Sequence, residues 1–314
     1  MSNKFILTIL ISVLIISLTG IFLAISVSNN LKISLERIEK TMENLDRKEA
    51  LLEKRVAPYI YTGEAVGYVI GFENGTKFYF SGPTGLDSNL QLIGRFYKPD
   101  VAFLPIGNIY SLSPKAAAYA ACLIGPSSYI VPDRYASFPE LVKNPEEFFK
   151  ELEKYDLRSK ALKFQIGEEK ELLGVKTEWL GHGAWLLESP KGARILIDPE
   201  IQYNLNFPRK YQELVQLKKI DLILFTNGRF DSLSLSDFRK WGQLFNPVFI
   251  TPYELGIWLK SRFPSYKIVA VDQGASLSEK ELLKLGVSKE KAKKFSDLFI
   301  DVVSASHSSS AIPE

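Results

Sequence analysis

The chain has 314 residues, 46% of them hydrophobic and 24% charged, with a formal net charge of +3. Those proportions are ordinary for a globular protein with a sizeable core, and the net charge is too small to point to nucleic acid. The single cysteine, Cys122, excludes a disulfide within the chain; set in the apolar run 117–124, it reads as a buried core thiol.

Residues 5–28 carry no charge and are dominated by Ile, Leu, Val and Phe. About 20 such residues cross a bilayer core as a helix, and the run exceeds the roughly 7–15 residues of a signal-peptide core. Residues 1–30 are therefore expected to be an uncleaved transmembrane anchor. A signal peptide ending near Ala24-Ile25-Ser26 is the alternative.

Residues 31–57 change character. Leu31, Leu35, Ile38, Met42, Leu45 and Leu52 are spaced 4, 3, 4, 3 and 7 apart, and only Glu49 breaks the seam. Such an a/d pattern predicts a coiled-coil stalk and, through it, a homo-oligomer; a lone amphipathic helix is the other reading. Pro58 ends the helix. Lys32, Arg37 and Lys40 on one flank, against Lys4 on the other, place the large domain in the cytoplasm by the positive-inside rule. The expected partners are thus the lipid bilayer and further copies of the chain, with any other protein partner unnamed.

Residues 58–314 read as one α/β domain. Asn74-Gly75 between two apolar runs signals a hairpin of strands 66–72 and 77–81. A strand is expected at 101–104. Ser113-Pro114 opens a helix that Gly125 closes. Further strands are expected at 128–131, 162–165, 175–180, 184–188, 194–197, 221–225, 248–251 and 268–271. Helices are expected at 145–155, 235–245 and 252–262. Ser278-Glu279-Lys280-Glu281 is a capping-box pattern for one more helix within 276–295.

Two groups of strings carry a family resemblance. Leu180-Gly181-His182-Gly183-Ala184-Trp185 and Ile195-Leu196-Ile197-Asp198-Pro199 resemble the opening strands of the metallo-β-lactamase superfamily. The nearest branch is that of the L-ascorbate-6-phosphate lactonase-like metal-dependent hydrolases. Gly85-Leu86, Tyr97-Lys98-Pro99-Asp100-Val101 and Leu104-Pro105-Ile106-Gly107 resemble the closing half of that branch, yet here they come first. His307-Ser308-Ser309-Ser310 falls in the half that ordinarily leads. The resemblance implies a four-layer αββα sandwich, circularly permuted, with residues 168–175 joining the old ends.

It also implies a metal site of seven ligands, most of which this chain replaces. Asn227 and Arg229 stand where the first two His of an H-x-H-x-D-H loop belong, Asp231 is retained, and Ser232 replaces the last His. Pro83 takes the place of a bridging Asp and Arg134 that of the final His, while His307 matches a remaining ligand. Arginine cannot ligate a cation, and two of them repel one. His182 and Asp198 read as structural.

These losses lead to the expectation of a membrane-anchored, non-catalytic protein without a cofactor, serving as scaffold, binding module or assembly subunit. The alternative is a metal-dependent hydrolase of lactones or phosphoesters, with a rebuilt single-metal site at Asp231, His307 and Asp133. Two lesser possibilities are an anion pocket between Arg134 and Arg229 and a nucleophile pair of His307 with Ser308 or Ser309. A buried Asp231 left without a metal needs compensation, so one of the two Arg is expected to pair with it.

Overall fold

The computed structural model describes residues 31, 32, 34–42, 44 and 59–312. The chain divides into two units, Met1–Glu53 and Lys54–Glu314. In the first, the described residues are helical, and Leu31, Leu35, Ile38 and Met42 are all exposed. Leu45 and Leu52, the rest of the expected seam, lie outside the described residues, as does the apolar run 5–28. Among the described residues no helix is long and apolar enough to cross a membrane. The expected single-pass localisation, with the large domain in the cytoplasm, is corrected on that finding. Crossing takes about 20 consecutive apolar residues, whereas the described helix alternates apolar and charged positions.

The second unit holds two sheets. One contains β1 (Ile60–Phe72), β2 (Lys77–Phe80), β3 (Val101–Pro105), β4 (Tyr129–Asp133), β12 (Ser276–Leu277) and β13 (Leu298–Ala311), in the order β12-β13-β1-β2-β3-β4. The other contains β5 (Glu169–Leu172), β6 (Val175–Trp179), β7 (Trp185–Glu188), β8 (Arg194–Ile197), β9 (Leu222–Leu224), β10 (Val248–Pro252) and β11 (Lys267–Val271), ordered β11 through β5. β8 to β11 run parallel, and β5 to β8 form an antiparallel meander.

Strand periodicity sorts the second sheet's residues between two cores. Ile195, Ile197, Leu222, Leu224, Val248 and Ile250 turn to the core shared with the first sheet. Leu196, Ile223 and Phe249, one residue out of phase, turn to the other face. There they meet Phe238 and Trp241 of α4 (Leu235–Phe245) and Leu255 and Leu259 of α5 (Tyr253–Arg262). Apolar residues on both faces are what a covered parallel sheet requires.

The first sheet packs in the same way on helices α1 (Asn89–Tyr97), α2 (Pro114–Ile124) and α3 (Glu146–Glu153). Ser113 caps α2 by accepting from the Ala116 amide, and Gly125 closes it at φ +61°. Ala117, Ala120, Ala121 and Ile124 form its buried face. Cys122 falls off that face and is exposed, which corrects its reading as a core thiol. A Cβ at Gly94 of α1 would lie 2.2 Å from the Ile124 carbonyl, so only glycine lets the two helices meet there.

Several segments differ from expectation, among them the helix α1 and the long strand β13, neither of which is among the expected elements. Residues 162–165 form no strand, only a single bridge between Ala161 and Ile130. The expected join 168–175 is itself ordered as the β5–β6 hairpin. The stretch 276–295 folds as β12, α6 (Glu279–Lys284) and α7 (Lys289–Lys293), with β12 extending the first sheet beside β13. β1 and β13 pair antiparallel along their length, so Ile60 lies opposite Ala311 and the domain's described ends are neighbours.

Trp185 anchors the shared core. It is fully buried, packs edge-on against Phe103 and Phe164 at 4.7 and 5.2 Å between centroids, and donates its indole N–H to Asp133 at 3.2 Å. Trp185→Ala is expected to cost about 3–5 kcal/mol of unfolding free energy, measured by urea denaturation.

Candidate functional site

The loops that follow β4, β6, β8 and β9 converge at one edge of the paired sheets, bringing Arg134, His182, Asp198 and the 226–232 loop together. Three of these residues adopt left-handed backbone: Arg134 at φ 53°, His182 at 50° and Asp198 at 42°. Each such non-glycine position costs on the order of 1–3 kcal/mol and persists only where its surroundings enforce it. Here the enforcing structure is a buried polar network.

Arg134 is its centre. Nη2 forms an ion pair with Asp198 Oδ2, both side chains being at most 4% exposed. Nη1 donates to Ser232 Oγ at 3.3 Å and approaches His182 Nε2 at 3.4 Å. Asp198 also accepts from the Thr226 amide at 2.8 Å and from its hydroxyl at 2.5 Å. Asn227 donates to Thr226 Oγ1 and Ser232 Oγ, each at 2.9 Å, and accepts from the Arg229 amide at 2.8 Å. A Cβ on Gly183 would lie 2.5 Å from the Arg134 guanidinium carbon, so that glycine makes room for the side chain.

His182 is held from both sides. The Ser137 hydroxyl donates to the Tyr135 carbonyl at 3.1 Å, so it accepts from His182 Nδ1 at 2.7 Å. That assigns the ring proton to Nδ1 and leaves the Nε2 lone pair facing Asp231 Oδ2 at 3.5 Å and Arg134. Burial lowers the imidazole pKa from 6.5, and Arg134 adds to that, against the pull of Asp231. Burial works the other way on Asp231, but the nearby Arg229 charge pulls against it and the carboxyl is held below its usual range. Asp231 Oδ1 lies 3.5 Å from Arg229 Nε and has no hydrogen-bond partner.

These groups open onto a small pocket of about 10 Å³, room for about one water molecule, lined by Pro83, Tyr110, Ser111, Arg134, Leu141, His182 and Asp231. The seven residues singled out in the sequence thus gather in one place. Pro83, Arg134 and Asp231 line the cleft, Asn227 and Ser232 brace Arg134, and Arg229 pairs with Asp231. His307 reaches the rim through the Tyr110 carbonyl at 3.1 Å. Asp231 has a guanidinium beside it as expected, but from Arg229, while Arg134 takes Asp198. Each Arg therefore has a carboxylate, so the two do not make the unpaired anion pocket considered above.

Nor do His307 and its serines form a nucleophile pair. His307 Nδ1 faces the Ser308 carbonyl at 2.7 Å, and the Ser309 hydroxyl is engaged with Thr62 and the Gly228 amide. Sequence reading missed the buried ion-pair role of Asp198 and the part of Ser137. Asp198 was visible only as a turn residue, and Ser137 carries no local signal.

With this geometry in place, known proteins bear on the chain. No family model matches it. It is 33% identical over 136 residues to a UPF0173 metal-dependent hydrolase of Herpetosiphon aurantiacus, covering 43% of this chain and 55% of that one. It is 50% identical over 86 residues to another of Caldivirga maquilingensis, covering 27% and 37%. A metallo hydrolase from the archaeon Ignicoccus hospitalis matches at 37% identity across 30% of this chain and 40% of its own, with a TM-score of 0.28. The chain is similar to metal-dependent hydrolases. It spans about half the length of curated relatives that it matches. These relatives are named as hydrolases and none as a scaffold, which overturns the expectation of a non-catalytic, membrane-anchored assembly protein.

The metal in the relatives' name does not fit the residues present here. The guanidinium of Arg134 fills the point where Asp198, His182 and Ser232 converge. Among the described residues, no group of three or more His, Cys, Asp or Glu is placed to hold a metal ion. Asp133, the third member of the expected single-metal site, accepts from Trp185, and both ring nitrogens of His307 face backbone carbonyls.

Burial pushes the Asp133 carboxyl from 3.8 up to about 7, and Asp198 up to about 6. A carboxyl with a raised folded-state pKa keeps a proton that the unfolded chain sheds, so it lowers stability as pH rises between the two values. Asp133→Asn removes that dependence. Its stability relative to wild type is expected to rise from about pH 4 to about pH 7 and to stay level above, as measured by urea unfolding across pH.

Proposed function

We propose that the domain is a hydrolase of the lactone or phosphoester class, working with its own guanidinium, imidazole and carboxylate groups. The observation that carries this reading is Asp231 Oδ1 in the cleft, which is ion-paired with Arg229 at 3.5 Å but accepts no hydrogen bond, with His182 beside the carboxylate. A charged carboxylate oxygen with no donor is costly when buried, and a water molecule is the donor that relieves it.

In this reading Asp231 orients the attacking water, and the Nε2 lone pair of His182 accepts its proton. Asp231 Oδ2, 3.5 Å away, steadies the imidazolium that forms. Charge developing on the substrate's carbonyl or phosphoryl oxygen faces the fixed cation of Arg134 at the cleft, with Arg229 paired to Asp231 beside it. Ser137 fixes the tautomer. No step runs through a metal ion.

The scaffold belongs to the same proposal: a metallo-β-lactamase-like four-layer sandwich whose halves have exchanged order. The antiparallel pairing of Ile60 with Ala311 supports it, because domain ends that lie side by side are what a permutation needs. A chain reopened at Gly174, in the β5–β6 turn, with residues 312 and 59 joined by a short linker, is expected to fold with an unchanged near-ultraviolet spectrum. Failure to regain that spectrum argues against the permuted reading.

The activity is tested with purified full-length chain on an aromatic lactone and on bis(4-nitrophenyl) phosphate. Turnover of one class is expected, with His182→Gln lowering kcat by about 10²–10⁴-fold. Ser137→Ala is expected to lower it less. Absence of turnover of both classes by the wild type overturns the proposal.

A further inference from the structure

The pocket holds about one water, less than a lactone or phosphoester of even a few heavy atoms needs. Such a molecule reaches His182 and Asp231 only when part of the wall moves. Most of the wall is fixed. Arg134, His182 and Asp231 are buried and held by their ion pairs and hydrogen bonds. Pro83 lies in a buried turn tied to β13: the Gly85 amide donates to the Ser306 carbonyl, and the Ser306 amide to Thr84 Oγ1, each at 3.1 Å. Leu141 is buried, and its loop is closed by the Ala136 amide on the Val142 carbonyl at 2.7 Å.

Tyr110 and Ser111 are different. Both are half-buried, and they sit on the 107–112 loop, where Ile109 is 58% exposed. The loop's backbone bonds turn back on itself, from the Asn108 amide to the Leu112 carbonyl at 3.0 Å and from the Ser111 amide to the Asn108 carbonyl at 3.3 Å. Its ends are anchored. Leu112 is buried, and a Cβ at Gly107 would lie 2.5 Å from the Arg134 carbonyl, so the loop leaves the site in close contact with that backbone. Groups outside the loop hold Tyr110 over the pocket. His307 Nε2 lies 3.1 Å from the Tyr110 carbonyl, which only accepts, so a proton on Nε2 makes this bond. The Arg229 guanidinium lies 5.7 Å from the centre of the Tyr110 ring.

We propose that residues 107–111 are a lid over the site and that His307 is its latch. The inference rests on the hydrolytic reading for its purpose, but its test reads access rather than turnover, so the two can fail separately. Opening breaks the His307 bond and the contact of the Tyr110 ring with Arg229, and leaves the ion pairs of Arg134 and Arg229 with their carboxylates intact. Closing over a substrate excludes bulk water from Asp231 and His182, which strengthens every charge interaction inside. His307, which takes no part in the hydrolytic steps, thereby governs entry to them.

The chain has two histidines, which makes access measurable. Diethyl pyrocarbonate acylates the free nitrogen of a neutral imidazole, and the His182 lone pair is turned to the pocket. Full-length wild type, His307→Phe and Tyr110→Ala are treated with the reagent, and acylation of His182 is followed by peptide mass spectrometry. Hydrogen exchange of the 107–112 segment is measured alongside. Neither substituted side chain is buried, so both variants are expected to fold. His307→Phe is expected to raise His182 acylation and exchange of 107–112 by about tenfold, the factor that one lost hydrogen bond of ordinary strength gives, with exchange of β3 and β8 unchanged. Tyr110→Ala keeps the carbonyl that His307 holds but removes the ring, and is expected to raise acylation as well. Acylation at the wild-type rate in His307→Phe overturns the latch, and in Tyr110→Ala it overturns the lid. A rise in exchange spread evenly over the domain overturns both.

Discussion

The buried ion pair of Arg134 with Asp198 is the constraint on which the site depends. Taking two charges out of water is costly, and the attraction between them offsets that cost only when the remaining polar atoms are also bonded. The Thr226 amide and hydroxyl complete Asp198, and Ser232 and His182 flank the other guanidinium nitrogen. Four loops are thereby tied to one point. That tie is what holds Arg134, His182 and Asp198 in left-handed backbone that side chains ordinarily avoid. Loss of one charge would leave the other uncompensated, so the pair specifies the arrangement of the loops more than it stabilises the domain.

The two sheets make this arrangement possible. The donors come from both: Arg134 follows β4 of the first sheet, and the other three loops follow β6, β8 and β9 of the second. The Arg134 amide donates to the His182 carbonyl at 3.1 Å, and the Trp185 indole reaches across to Asp133, so backbone and core link the sheets right beside the site. The apolar core beneath, with Trp185, Phe103 and Phe80 in mutual contact, keeps the loops from shifting relative to one another. A site that relies on contacts of 3.3–3.5 Å tolerates little such movement.

Much of the fold was legible in the sequence because strand and helix periods are local. The caps of α2, the hairpin at Asn74-Gly75 and the bounds of β8 and α4 all follow from neighbouring residues. The failures occur where a single neighbourhood does not decide. Residues 162–165 have strand composition but lie beyond the sheet edge, and Cys122 sits in an apolar run on the outward side of its helix. In the site, family resemblance picked out the residues that gather around the cleft. It did not reveal the partners. That Arg134 takes Asp198 depends on loops 64 residues apart in sequence being folded against each other, which leaves Asp231 to Arg229, its neighbour in the same loop.

A guanidinium at the centre of a polar cluster differs from a metal ion in more than charge. A metal ion accepts lone pairs from its surroundings and leaves ligands as acceptors turned inward, whereas a guanidinium donates hydrogens and is satisfied by those same acceptors. The carboxylate of Asp198, the hydroxyl of Ser232 and the imidazole nitrogen of His182 are the acceptors turned toward the Arg134 guanidinium. What the guanidinium cannot do is lower the pKa of a water by direct coordination. Any water in this cleft must give its proton to a side chain, and the one nitrogen lone pair held toward the cleft is that of His182, fixed there by Ser137.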